Sequence, residues 1–428
     1  MSGIKQNPGL YKIVVTHYVA AAFCFLVLSV MMLFSVKAFT GHYFQPQILA
    51  ITHMAALGWG TMIILGTSYQ LIPVVLETEL YSEKLAWISF ALFVPGLIAL
   101  VYSFWVFVPG IHMQCGAILL LLAVLLFTVN VYLTAKKKKQ ETIQEDFILS
   151  ACICLCLTVA LGVALVFNFT LSIFPQDQLH FLKLHAHMGL IGWFLLMLIG
   201  VSSKLVPMFL VSSYQKTGLL TASYYLILGA LLYFLVDSYF FGLSLRTYLI
   251  FAVGASGIAC YFIFILKCLR SRLRKHIDLP MMNSFLSFIL LKIAILTVPF
   301  IIYFHLKNNP VTIRFSMIYG EFMLMGWITA LILGQTFKTL PFIVWVKHYE
   351  HLTGKFKTPM PADLFADNLL KAQTVSYLIF CLTFMPGCYL LFLPLIYIGI
   401  AALMVTAMLY LFNIFIVLFH KTITYGKL

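Results

Sequence analysis

The chain has 428 residues, of which 63% are hydrophobic and only 9% are charged, and its mean hydropathy is +1.03. This composition excludes an ordinary soluble globular protein and is typical of a polytopic protein embedded in a lipid bilayer. The formal net charge of +14 falls mostly in short segments between apolar runs, which indicates membrane topology and argues against nucleic acid as a partner.

Apolar runs long enough to cross a bilayer follow one another along the whole chain, separated by polar residues or by proline and glycine. They predict an all-α, polytopic membrane protein with twelve transmembrane helices. The predicted spans are, in order, about 12–38, 47–75, 84–106, 110–135, 147–173, 182–210, 217–241, 246–269, 281–305, 313–345, 369–393 and 395–419.

The basic residues cluster after even-numbered spans. Residues 136–139 are four lysines after the fourth span, residues 270–275 are rich in arginine after the eighth, and the tails carry Lys5 and Lys427. Because short loops rich in lysine and arginine stay in the cytoplasm, both termini are predicted to be cytoplasmic. We therefore expect a multi-pass protein of a cell inner (plasma) membrane.

One element occurs three times at a fixed spacing, in the second, sixth and tenth spans. His53 and His187 are 134 residues apart, and so are His187 and Glu321. The copies also align, without a gap, two glycines, a tryptophan and a proline: Gly58, Gly192 and Gly326; Trp59, Trp193 and Trp327; Gly66, Gly200 and Gly334; Pro73, Pro207 and Pro341.

Such self-similarity predicts an internal triplicate. We expect one membrane domain over residues 1–428, made of three pseudo-symmetric four-helix repeats at about 11–140, 145–274 and 280–420. The aligned glycines offer flat patches for close approach by a neighbouring helix or by a planar ligand. The aligned tryptophans are interpreted as packing anchors.

His53, His187 and Glu321 occupy one position of this repeat, in the predicted outer third of the membrane. Ionisable residues within a bilayer are costly and usually face the interior of a helix bundle. The three helices that carry them are therefore predicted to be the innermost ones. Glu321 stands where the other copies have histidine, so the polar residues of the three copies do not all have the same role.

His185 and His187 are two residues apart, so on a helix their side chains point about 200° away from each other. They cannot share one metal ion, but each can serve a different partner. Neutral imidazole is the usual axial ligand of haem iron, and facing helices of a bundle can supply a pair of such ligands. The best candidates for one pair are His53 and His187, and His185 would then face a second site. The nine cysteines include no Cys-x-x-Cys-His motif, which excludes a covalently attached c-type haem.

The arrangement of these residues and helices resembles that in the catalytic subunit of the haem-copper oxidases and of the related nitric oxide reductases. The resemblance covers the whole chain as architecture, and as motif it rests on the histidine of helix 2 and the His-x-His helix with their flanks. In that family the first His of His-x-His ligates a high-spin haem and the second a low-spin haem, whose other ligand comes from helix 2. The resemblance thus implies a low-spin haem b on His53 and His187, with a second haem on His185.

The sequence departs from the family pattern in two respects. The His-x-His helix is the sixth and not the tenth, where Tyr319 and Glu321 stand at the matching places. No His-His pair occurs on helix 7 or 11, and no stretch resembles His-Pro-Glu-Val-Tyr, so no copper ligands are visible. We expect a copper-free relative that binds haem, and the sequence assigns no catalytic residue.

The resemblance implies respiratory electron transfer, or binding or reduction of a diatomic gas such as nitric oxide or oxygen. The electron donor would be cytochrome c, a quinol or an accessory subunit. Two alternatives stay open. One is a proton- or metal-coupled transporter or channel that uses His53, His187 and Glu321; the other is a haem-free assembly or structural subunit with the oxidase fold.

Glu321 itself has three interpretations. With Lys292 of helix 9, in the same repeat, it would form a buried ion pair. Alternatively it is a proton-relay carboxylate, near Tyr319, or a third metal ligand.

Overall fold

The computed structural model describes residues 8–138, 140–273 and 276–423. The basic residues Lys5, Lys139, Arg274, Lys275 and Lys427, on which part of the topology prediction depends, lie outside the described residues.

The described chain is nearly all helical and has twelve helices that are long and apolar enough to span a membrane. The predicted fold class is therefore confirmed. The helices are α1 (Gly9–Phe34), α2 (Pro46–Val75), α3 (Glu83–Val106), α4 (Ile111–Ala135), α5 (Ile143–Leu171), α6 (Gln178–Leu210), α7 (Gly218–Phe240), α8 (Arg246–Arg270), α9 (Leu279–Leu306), α10 (Val311–Leu352), α11 (Asp367–Leu390) and α12 (Leu393–Leu418).

The start of α5 and the end of α10 are among the helix ends that differ from the prediction, because hydropathy does not decide where a helix begins or stops. Helix α5 begins four residues before the predicted 147, since the Thr142 hydroxyl accepts a hydrogen bond from the Glu145 backbone N–H. Acidic residues in that first turn also interact favourably with the positive end of the helix dipole. Helix α10 continues past the apolar run because its polar residues are compatible with helix until Gly354, which adopts a left-handed conformation.

The chain forms two compact units. The first comprises the described residues within Met1–Ser68, Ile277–Ala294 and Ser316–Leu428, and the second comprises those within Tyr69–His276 and Ile295–Phe315. The expectation of a single membrane domain stays a prediction.

In the first unit, Trp59 of α2 is fully buried and stacks on Phe25 of α1 with ring centroids 4.3 Å apart. Its indole N–H donates to the Thr329 hydroxyl of α10 at 3.1 Å, and Tyr410 of α12 packs edge-on against it. In the second unit, Trp193 is also buried and packs edge-on against Phe127 of α4. These contacts support the interpretation of the tryptophans as packing anchors.

Helices α2, α6 and α10 are the most enclosed of the twelve described spans. Of their most apolar windows, 78%, 61% and 89% are buried, whereas the other nine spans range from 28% to 50%. The three helices that carry the repeated element are therefore the most buried of the described spans.

The aligned glycines receive a neighbouring helix in all three repeats. A Cβ added to Gly66 would lie less than 3.0 Å from His17 of α1, one on Gly200 equally close to Phe147 of α5, and one on Gly334 equally close to Ser284 of α9. The first helix of each repeat thus packs against the second helix of the same repeat at its glycine. A neighbouring helix therefore occupies the space beside each of these glycines, where a planar ligand was the alternative.

Candidate functional site

His53 and His187 make the same local hydrogen bond in their respective helices. The His53 Nδ1 lies 2.7 Å from the Leu49 carbonyl oxygen, and the His187 Nδ1 lies 2.8 Å from that of Lys183. A carbonyl oxygen can only accept, so Nδ1 carries the hydrogen in each ring and Nε2 carries the lone pair. Histidines that ligate a metal commonly have this arrangement, in which a backbone carbonyl fixes the tautomer and the ring orientation.

A π-helical segment follows each polar residue of the repeat. The segments are Met54–Thr61 after His53, Met188–Leu195 after His187 and Phe322–Ile328 after Glu321. Such segments are uncommon, are usually single turns within α-helices, and are often found at functional sites. Nothing in the residue types of these segments predicts the π geometry, so sequence reasoning missed it.

His187 lies in apolar surroundings within the second unit. Its ring centroid is 4.7 Å from that of Phe234 on α7. The next residue, Met188, belongs to a buried cluster with Cys154 and Leu231. Apolar side chains of this kind exclude water from one side of the imidazole.

His185 is turned toward a different helix. Its Nδ1 lies 2.9 Å from the Thr158 carbonyl oxygen of α5, and its Cε1 would be 3.0 Å from a Cβ on Gly162 of the same helix. The prediction that His185 and His187 face different neighbours is therefore confirmed. The described contacts of His185 tie α6 to α5.

Glu321 is only 7% exposed, and neither of its carboxylate oxygens has a hydrogen-bond partner among the described residues. The thiol of Cys388 on α11 is the polar group beside it. Sequence reasoning did not single out Cys388, because a cysteine in an apolar helix is normally just a small buried residue.

The ion pair between Glu321 and Lys292, one of the three interpretations of Glu321, stays a prediction, and the exposure of Lys292 argues against it. Leu291 is 1% exposed and faces the interior of the first unit, whereas Lys292 is exposed. The next residue of a helix is rotated by about 100°, so Lys292 is turned away from the buried face. Tyr319 is partly buried on α10. Because it stands two positions before Glu321, its side chain leaves the helix on a different side.

Each histidine can therefore offer an Nε2 lone pair to a metal centre, and Glu321 can hold a proton or a cation. Among the described residues, no group of three or more histidine, cysteine, aspartate and glutamate side chains is placed to hold a metal ion.

No protein-family model matches the sequence, and no curated protein matches it significantly. Among solved structures, 26 chains are similar to it. One of them is the cryo-EM structure of a haem-copper terminal oxidase dimer, with a TM-score of 0.69 and 12% sequence identity. The similarity covers 98% of this chain and 85% of that one. At this identity the similarity shows the fold alone: this chain has the fold of a haem-copper oxidase subunit.

Proposed function

We propose that the chain is a haem-binding membrane protein in which His53 and His187 are the axial ligands of one low-spin b-type haem. The observation that carries the proposal is the matched pair of Nδ1 bonds to backbone carbonyls, each followed by a π segment. The fold similarity to an oxidase supports it, because that solved protein is described as a haem-copper enzyme.

Backbone carbonyls orient the two imidazoles, and apolar surface shields the His187 ring from water. The carbonyls of Leu49 and Lys183 hold the Nδ1 hydrogens, which leaves Nε2 as the ligating nitrogen of each ring. The ring of Phe234 covers one side of the His187 imidazole with apolar surface. When bound, the haem would supply a centre that accepts and releases one electron.

The proposed role is respiratory electron transfer, or binding or reduction of a diatomic gas such as nitric oxide or oxygen. Cytochrome c, a quinol or an accessory subunit would be the electron donor. Copper is not part of the proposal, because the sequence carries no histidine pair on α7 or α11. We place the protein in an inner (plasma) membrane, with both termini in the cytoplasm.

The test is the reduced-minus-oxidised absorption spectrum of the purified protein. We expect the sharp α-band of a six-coordinate b haem, lost in His53→Ala and in His187→Ala, because each variant removes one axial nitrogen. Trp193→Phe and His112→Ala should keep the band, since the first retains the packing and His112 is exposed. Added imidazole should restore the band in both alanine variants if they lack only a ligand.

A second haem on His185 stays a prediction, and the ratio of haem to protein tests it. Two haems per chain, falling to one in His185→Ala, would support it. One haem in both proteins would leave His185 as the residue that ties α6 to α5.

The buried carboxylate of Glu321 favours a second candidate function, a proton- or metal-coupled transporter or channel. In this case His53, His187 and Glu321 would be stations on the path of the ion. A colourless protein that moves protons or metal ions across vesicle membranes would support this function and contradict haem binding. A colourless protein without transport would point to a haem-free assembly or structural subunit.

A further inference from the structure

Helix α11 carries a line of polar side chains on the face that packs against α10. Gln373, Tyr377, Cys381 and Cys388 follow one another at spacings of four, four and seven residues, which place them on one side of a helix. We call these four residues the α11 polar stripe. It extends about 22 Å along the helix at 1.5 Å per residue.

Two members of the stripe contact the π segment of α10 or each other. The Tyr377 hydroxyl lies 2.7 Å from the Met325 carbonyl oxygen and 2.8 Å from that of Gly326, so it donates to this pair of carbonyls. The Cys381 thiol is a further polar neighbour of Tyr377. At the end of the stripe toward Leu390, Cys388 lies beside Glu321.

Gln373, at the other end of the stripe, is 0% exposed, and neither its amide nitrogen nor its amide oxygen has a hydrogen-bond partner among the described residues. A buried amide without a partner is unfavourable, and proteins usually stabilise one with ordered water. Gln373 lies one turn before Tyr377. Ordered water bound to its amide would therefore extend the line of hydrogen-bonding groups toward the Asp367 end of α11.

Glu321 is also buried, with both oxygens lacking a hydrogen-bond partner among the described residues. An ionised carboxylate in a membrane interior is costly unless a cation or several donors stabilise it, and in practice such a group takes up a proton. A thiol is only a weak hydrogen-bond donor, so Cys388 does not supply that stabilisation. The neutral carboxyl group, in contrast, can donate its O–H to the sulfur.

We propose that Glu321 is a proton-binding site within the membrane and that the α11 polar stripe connects it to the Asp367 end of α11. The step is a proton transfer: the carboxyl O–H bond breaks as an O–H or S–H bond forms on the next group, that group releases its own proton to the group after it, and no electron moves. The proposal is independent of haem binding by His53 and His187, because it concerns α10 and α11 of the first unit only.

Infrared spectroscopy of the purified protein tests the proton on Glu321. We expect the carbonyl stretch of a protonated carboxylic acid at neutral pH, absent in Glu321→Gln and present in Glu350→Gln. Glu350 is an exposed glutamate at the end of the same helix, so it is a matched control. The same band should shift in Cys388→Ala, because the polar thiol beside the carboxyl group is removed.

Two results would overturn this part of the proposal. One is a wild-type spectrum with no carboxylic-acid band that Glu321→Gln removes. The other is a band that appears only after treatment with a metal chelator, since the carboxylate would then have held a metal ion. Neither result bears on the haem spectrum, so the two proposals fail separately.

Hydrogen–deuterium exchange of the same band tests the connection. After transfer to D2O, we expect Gln373→Leu to slow the shift of the Glu321 band by roughly tenfold, because leucine removes the amide that would bind ordered water at this end of the stripe. Val375→Leu, two residues along and exposed at the helix surface, should exchange at the wild-type rate. Equal rates in both variants would overturn the connection through the stripe.

Discussion

Two asparagines inside apolar helices stabilise the starts of neighbouring helices. Asn130 of α4 is 0% exposed; its amide donates to the Ser82 carbonyl at 2.8 Å and its oxygen accepts from the Ser82 N–H at 3.0 Å. Asn413 of α12 makes the same pair of bonds to Ala366, at 3.1 and 2.8 Å. Ser82 and Ala366 directly precede α3 and α11, where backbone groups lack partners within the helix.

We expect Asn130→Leu and Asn413→Leu each to lower the free energy of unfolding by about 1–3 kcal/mol, because each leaves a backbone N–H and a carbonyl without a partner. Thermal unfolding of the detergent-solubilised protein measures the loss. Asn368→Leu is the matched control, since Asn368 is exposed in the first turn of α11. If the control lost as much stability as the two variants, the backbone bonds would not be the cause.

At the scale of helices, close approach depends on glycines at particular positions and not on glycine content. Gly200 of α6 meets α5, where an added Cβ would be 2.9 Å from the Cβ of Phe147 and 3.1 Å from the Ile148 side chain. Gly229 of α7 has no atom within 4 Å of an added Cβ among those described. Small residues at helix contacts allow the van der Waals packing that holds helices together in a membrane.

Gly200→Ala should therefore destabilise the protein by about 1–3 kcal/mol, because a methyl group must push two helices apart. Gly229→Ala should be neutral or stabilise by up to about 1 kcal/mol, because alanine is the better helix former. The two thermal midpoints, measured in the same detergent, should move in opposite directions or by clearly different amounts. Equal destabilisation would mean that the loss of glycine itself, and not the contact with α5, matters.

The positions of the basic segments predict how the whole molecule is oriented in the membrane. Lys136, Lys137 and Lys138 directly follow α4, and Arg270 ends α8. With twelve spans, we expect these segments and both termini on one side of the membrane, and the positive-inside tendency predicts that this is the cytoplasmic side.

Cysteines introduced on the two sides check this orientation. A membrane-impermeant thiol reagent should label His42→Cys, between α1 and α2, in intact cells. It should label Lys357→Cys, between α10 and α11, only after lysis. Wild-type protein, with its nine cysteines, provides the background. Labelling of Lys357→Cys but not of His42→Cys in intact cells would invert the topology.

The number of spans, the register of the three repeats and the shared position of His53, His187 and Glu321 could be predicted from the sequence alone. This was possible because hydropathy and self-similarity are properties of the order of residues along the chain. The sequence also predicted that His185 and His187 diverge, because an angle between neighbours on one helix does not depend on the rest of the fold.

The helix that each of these side chains contacts could not be predicted, because it depends on the tertiary structure. The tertiary structure turned His185 to α5 and His187 to α7, placed Cys388 beside Glu321 and left Lys292 on an exposed face. It also decided that the aligned glycines receive a helix. The physical reason is that one residue step rotates a side chain by about 100°, so its partner depends on how helices distant in sequence pack around it.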